Sequence, residues 1–251
     1  ISSGIISGTP LNTDVGDHTI IVTATDDGTG TLSVSDTFIL TVNNVNDGPT
    51  FTTSGTTTAT EDTAYAYVVT ATDEEGQEIT LTGTTIPTWS TFVDLGTGTG
   101  VLSGTPENSD VGSYAVTITA TDASSASTTQ TFTIVTSNTN DAPTLVSAIA
   151  DASTDEDAAY SLDVSGNFND VDASDTLTYA ATGMPSTLTM STAGTISGTP
   201  VNADVGVHTI TVTATESASA AGTVSDSFIL TIINTNDAPT IDSTAVTAVD
   251  E

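Results

Sequence analysis

A chain of 251 residues with 32 acidic side chains, no Lys and no Arg carries a formal charge of −32, so it cannot neutralise phosphates, which excludes nucleic acid and anionic membranes as partners. It has no Cys, which removes disulfides and thiolate zinc sites, and no run reaches the roughly 18 apolar residues of a membrane helix. Only His18 and His208 can become cationic side chains, so positive charge is expected from outside, and calcium suits the hard oxygens of Asp, Glu and Asn.

In chain order, the first element is the turn string Ser7–Pro10, then Asp14–Gly16 and a predicted strand over His18–Thr25, where Thr alternates with Val, Ile or Ala. The segment Thr23–Asp26 ends that strand on an acid. A closing strand is predicted over Thr37–Val42, followed by the linker Asn44–Thr50. The next stretch adds Glu61, strands over Tyr65–Thr72 and Ile79–Thr82, the acidic run Asp73-Glu74-Glu75 and the segment around Trp89.

The same series then returns. Ser-Gly-Thr-Pro recurs at Ser103–Pro106 and Ser197–Pro200, and Asp-Val-Gly at Asp110–Gly112 and Asp204–Gly206. Strands are predicted over Ser113–Thr121, Val207–Thr215 and Ser227–Ile232. Thr-Ala-Thr plus an acid recurs at Thr119–Asp122 and Thr213–Glu216, and the linker at Asn138–Thr144 and Asn234–Thr240. A constant period of about 95 residues marks internal repetition. About seven short strands per unit, with no helical periodicity, predict tandem all-β, Ig-like Greek-key sandwiches.

The register divides the chain into 1–47, the C-terminal half of a repeat; 48–141 and 142–237, two complete repeats; and 238–251, the start of a further one. The array is expected to continue in both directions or to be completed between molecules.

Several residues have a plainer reading beside a functional one. Asn-Asp-Gly-Pro is good turn chemistry as well as a ligand source, because Asn and Asp form Asx-turns and Pro fixes φ. Asp14, Asp110 and Asp204, each before Val-Gly, read as backbone caps in a tight turn. His18 and His208 share a repeat position with Tyr114, so they read as packing rather than catalytic groups. Trp89 reads as a core residue, with sugar stacking the alternative.

Acids are plentiful enough for glycosidase chemistry, but they recur at equivalent loop positions in every unit. There is no Ser-His-Asp pattern, no thiol and no Lys, so no enzyme is expected.

The linker Asn-x-Asn-Asp-x-Pro resembles the cadherin inter-domain linker. Asp73-Glu74-Glu75 and Asp170-Val171-Asp172 resemble its Asp-x-Asp element, Ala-Thr-Asp its Ala-x-Asp element, and Glu61 and Glu156 its early Glu. With Ser-Gly-Thr-Pro, the set is similar to the dystroglycan-type cadherin-like repeats common in large bacterial surface adhesins. The linker lacks the second Asn before Pro, and the Arg-containing cadherin element is absent.

The resemblance implies calcium where successive repeats meet. One junction would use Asn46, Asp47, Asp73, Glu75 and Asp122. The next would use Glu61, Asn140, Asp141, Asp170, Asp172 and Glu216. A third would begin with Glu156, Asn236 and Asp237, and Asp26 would face a junction before residue 1. The function it implies is a calcium-stiffened extracellular stalk of a cell-surface adhesin, whose partners are its neighbouring repeats. A self-assembling filament or surface layer of identical chains, and a glycan-binding module centred on Trp89, are the alternatives.

Overall fold

The computed structural model describes residues 4–172, 174–217 and 222–241, so the last ten positions assigned to a further repeat lie outside the described residues. Contacts group the chain into two compact units. Among the described residues, one comprises 4–59, 63–106 and 112–136; the other comprises 60–62, 107–111 and those between 137 and 241.

The first unit begins with a hairpin of β1 (Gly16–Thr25) and β2 (Ser33–Val42), antiparallel from Gly16 opposite Val42 to Thr25 opposite Ser33. A sandwich follows, built from β3 (Thr50–Phe51), β4 (Thr58–Thr60), β5 (Tyr65–Thr72), β6 (Ile79–Thr85), β7 (Ser90–Gly96), β8 (Thr99–Gly104), β9 (Gly112–Asp122) and β10 (Ser127–Ser137). One sheet runs β4-β10-β9-β6 and the other β3-β5-β8-β7. The chain therefore changes sheets between β6 and β7 and again between β8 and β9, as an Ig-like sandwich requires.

The second unit repeats this plan. Its strands are β11 (Thr144–Leu145), β12 (Ala152–Asp155), β13 (Tyr160–Asp163), β14 (Phe168–Asn169), β15 (Leu177–Thr182), β16 (Leu188–Met190), β17 (Thr195–Gly198), β18 (Gly206–Glu216) and β19 (Thr223–Ile233). One sheet runs β12-β19-β18-β15, with β12 parallel to β19; the facing strands are β13-β17-β16, with β11 paired to β14. A short turn over Ser165–Asn167 splits β13 from β14, where the earlier repeat has the single strand β5.

Period two builds both cores. In β9, Val116, Ile118 and Ala120 point inward while Thr117, Thr119 and Thr121 are less buried; in β18, Ile210, Val212 and Ala214 do the same. They pack against Val69, Leu81, Leu102 and Ile134 in one core and against Val164, Ile196, Phe228 and Leu230 in the other. Trp89 lies against the first core, edge-on to Tyr65 at 5.6 Å and to Tyr114 at 6.1 Å, the packing arrangement expected of a core aromatic.

The β1–β2 hairpin has the register of β18–β19: His18 faces Leu40 as His208 faces Leu230. Its apolar face is not covered in the same way. Phe38 is 41% and Leu40 45% exposed, against 2% for Phe228 and 0% for Leu230.

The repeated turn strings have structural roles. A Cβ on Gly104 or Gly198 would overlap the carbonyl oxygen of Trp89 or Thr187, so the Gly of Ser-Gly-Thr-Pro permits that close approach. Asp14, Asp110 and Asp204 close short 3₁₀ turns by accepting from the backbone N–H of Leu11 (2.9 Å), Glu107 (3.0 Å) and Val201 (3.1 Å). The Nε2 atoms of His18 and His208 lie 2.6 and 2.7 Å from the carbonyls of Asp14 and Asp204. Both His rings therefore fasten the same turn.

Candidate metal centres

The inward alternation of β9 does not stop at the apolar residues. It continues one step beyond Ala120 to Asp122, and in β18 one step beyond Ala214 to Glu216. Each acid therefore sits at the end of a core stripe, buried by the strand's own geometry. Glu61 and Glu156 reach a similar depth, just after β4 and β12. The residues that follow them, Asp62 and Asp157, turn the chain in the left-handed region at φ 56° and 58°, which Asp tolerates better than most residues. Glu61 is 1% exposed, Glu156 2% and Glu216 4%.

In the first unit, Asn46 of the linker donates from Nδ2 to Asp122 Oδ2 at 2.8 Å, and its Oδ1 accepts from Gln77 Nε2. Asp73 Oδ1 accepts from the N–H groups of Glu75 (3.0 Å) and Gln77 (3.1 Å), and the Asp47 N–H reaches Glu75 Oε2 at 3.4 Å. Asn12, from the turn before β1, donates to Glu75 Oε1 at 3.1 Å. All five residues expected at this junction thus belong to one hydrogen-bonded group. The Asn46 amide is the main cause holding the Asp122 carboxyl below its usual range.

The second unit holds the fuller set. Asn140 donates to Glu216 Oε1 at 2.7 Å. The Asp141 N–H donates to Asp172 Oδ2 at 2.8 Å, and Asn108 donates to Asp172 Oδ1 at 3.0 Å. The Asp172 N–H donates to Asp170 Oδ1 at 2.9 Å, and Glu61 Oε2 accepts from the Thr139 N–H at 3.2 Å. The Asp141 N–H, followed by the Asn138 side chain, holds the Asp172 carboxyl low. Among the described residues, two acidic triplets have a carboxylate oxygen from each member within 4.8 Å of the others: Glu61, Asp62 and Asp141; and Asp170, Asp172 and Asp175. Burial and then the charges of Asp170, Glu216 and Asp172 push the Asp175 carboxyl up.

The third expected group is partial. Glu156 accepts at Oε1 from the Thr235 N–H at 2.8 Å, and Asn202 donates to Asp237 Oδ2 at 3.2 Å, while Asn236 and Asp237 are exposed. Asp26 serves its own hairpin, accepting from the Leu32 N–H at 3.0 Å.

Sequence reasoning missed Asp62, Asp175, Gln77 and the trio Asn12, Asn108 and Asn202. The trio carried a signal: each stands two residues before the Asp of Asp-Val-Gly, at the same point of every repeat.

The donor chemistry fits calcium. Glu61 Oε1, Asp73 Oδ2, Glu156 Oε2, Asp170 Oδ2 and Glu216 Oε2 are buried with no hydrogen-bond partner among the described residues. A buried, unpaired carboxylate oxygen is costly, and a hard cation with six to eight oxygen ligands relieves that cost. Carboxylates and Asn carbonyls are the ligand types present, and no Lys or Arg competes for them.

The sequence pattern of the family described as "Putative Ig domain" matches residues 48–137 and again 142–233. No curated protein sequence matches the chain. Among solved structures, mouse cadherin-23 EC22-24 is similar at 21% identity and TM-score 0.63, over 91% of this chain and 78% of that one. Protocadherin gamma B2 extracellular cadherin domains 1-5 is similar at 18% identity and TM-score 0.66, over 89% of this chain and 47% of that one. An endo-fucoidan hydrolase of glycoside hydrolase family 107 aligns at 22% identity and TM-score 0.37, over 91% of this chain and 35% of that one. The cadherin likenesses show a shared fold, and the hydrolase likeness carries no argument.

Proposed function

Since the chain belongs to the Ig-domain family and carries that domain in tandem, we propose that it is an extracellular structural repeat whose junctions bind calcium, forming a stiffened stalk of a cell-surface adhesin. The repeat frame proposed is 1–47, 48–141, 142–237 and 238–251. The observation that carries the reading is the set of five buried carboxylate oxygens without partners, each on a residue of a junction group. Calcium supplies the positive charge that a chain of formal charge −32 lacks. The linker Asn and Asp, the Asp-x-Asp element and the strand-terminal acid then share one ion or ion cluster, which ties consecutive repeats together.

Metal-free, the same acids repel one another and the linker is free to bend. Extracellular calcium modules bind at about 10⁻⁴–10⁻³ M, so secretion into calcium-rich surroundings would stiffen the array. The non-enzymatic reading stands with this one, because the acids recur with the repeat and serve the same linker each time.

Small-angle scattering with calcium and with chelator tests the proposal. A longer, narrower distribution of maximum dimension in calcium is expected, and an unchanged dimension after chelation would defeat it.

A further inference from the structure

The two junction groups are not equivalent: the second adds Glu61 and has Asp172 and Glu216 where the first has Glu75 and Asp122, and at one further position the charge itself changes. In the first unit, Gln77 stands two residues before the strand residue Ile79, which pairs with Asp122. In the second, Asp175 stands two residues before Leu177, which pairs with Glu216. The same place thus holds a neutral amide in one group and a carboxylate in the other.

The consequences are visible in the contacts. Gln77 donates from Nε2 to Asn46 Oδ1 and accepts at Oε1 from Ser124 Oγ at 2.9 Å. Asn46 therefore has both ends of its amide engaged, one by Gln77 and the other by Asp122. Its oxygen, the atom a cation would use, is already satisfied. Asp175 cannot donate in this way. It closes a third side of the triplet with Asp170 and Asp172, within 4.8 Å, and Glu216 is among the charges that face it. A second observation points to a ligand there: among the described residues, Asp170 Oδ2 and Glu216 Oε2 are buried without partners, and Glu216 is 4% exposed.

We propose that Asp175 is an added calcium ligand which raises the affinity of the second junction, and that Gln77 lowers the affinity of the first by holding the Asn46 oxygen in an amide network. This rests on the calcium reading above and adds to it a grading of affinities along the chain. Repeats with an acid at this position stiffen at lower calcium than repeats with Gln. Ligand charge count is a known means of tuning such sites.

The test is calcium titration of the full chain by calorimetry, with circular dichroism confirming the β fold, for wild type, Asp175→Gln and Gln77→Asp. Asp175→Gln should raise the dissociation constant of the tighter sites about tenfold, or remove one ion. Gln77→Asp should tighten the weaker sites by a similar factor, and it remains informative if Asp175→Gln fails to fold. Calcium binding by wild type with the same constants and stoichiometry in the folded variants would overturn the grading alone. No calcium binding by wild type would overturn both the grading and the stalk reading.

Discussion

Asn108 Nδ2 lies 3.0 Å from Asp172 Oδ1, 64 residues further along the chain. Asn12 and Glu75 make the same pair one repeat earlier. Both donors sit at the first position of a 3₁₀ turn that an Asp closes, so the turn aims the amide at the acid. In a chain without Lys or Arg, amides take the place of cationic donors.

Replacement of Asn108 by Ala removes that donor and leaves Asp172 buried. A hydrogen bond to a charged group contributes about 1.5–3 kcal/mol. The expected result is a lower melting temperature in chelator and a smaller drop in calcium, where an ion serves the same carboxylate. Equal drops in the two buffers would separate the amide from the ion.

Calcium itself should stabilise the fold. At a hundred times its dissociation constant, one ion contributes about 2.7 kcal/mol. Glu61→Gln keeps the shape of the side chain and removes its charge, so the calcium-induced rise in melting temperature should shrink. The metal-free protein should be unharmed or slightly stabilised, since one repelling charge is gone. A full calcium response in this variant would remove Glu61 from the ligand set.

Acid sensitivity can be read at the carboxyl that closes the turn before β18. Thr187 Oγ1 donates to Asp204 Oδ2 at 2.6 Å and is the largest cause holding that carboxyl below its ordinary 3.8. A depressed folded value gives stability that is present above 3.8 and is lost as the pH falls through the folded value. Thr187→Val should therefore weaken the protein at pH 7 more than at pH 2. Urea denaturation at both pH values measures the difference, and a loss independent of pH would mean that the Val substitution acts through packing.

Trp89→Ala should cost about 3–5 kcal/mol, the range for removing a large core aromatic, because it deletes the ring between Tyr65 and Tyr114. Near-ultraviolet circular dichroism and melting report the loss. A variant that melts normally but loses retention on a polysaccharide column would favour the glycan-binding alternative.

Pure trypsin should leave the chain intact even in urea, since no Lys or Arg is present. Fragments seen by mass spectrometry would contradict that.

The β architecture was legible because its signals are local. The Thr/Val alternation of His18–Thr25, Ser113–Thr121 and Val207–Thr215 marks strands that the structure extends by one or two residues. The break between β13 and β14, where the earlier repeat has the single strand β5, was not legible, because the turn at Ser165–Asn167 has no Pro and only one Gly to announce it. For the candidate site, the repeated acids and linker Asn could be named from the repeat. Asp175 and Gln77 could not, since a one-residue difference in the loop after the Asp-x-Asp element hides their equivalence until strand pairing aligns Ile79 with Leu177. Asn108 escaped notice because its partner is distant in sequence.

The stripe that runs Val116, Ile118, Ala120, Asp122 has a corollary for assembly. Sliding this strand by a single residue would turn its three apolar side chains to solvent and swing the terminal carboxylate out of its pocket at the same moment. A misaligned copy would thus forfeit cohesion and cation capture together. On the proposed calcium reading, only a module in the native register would gain the ion's reinforcement.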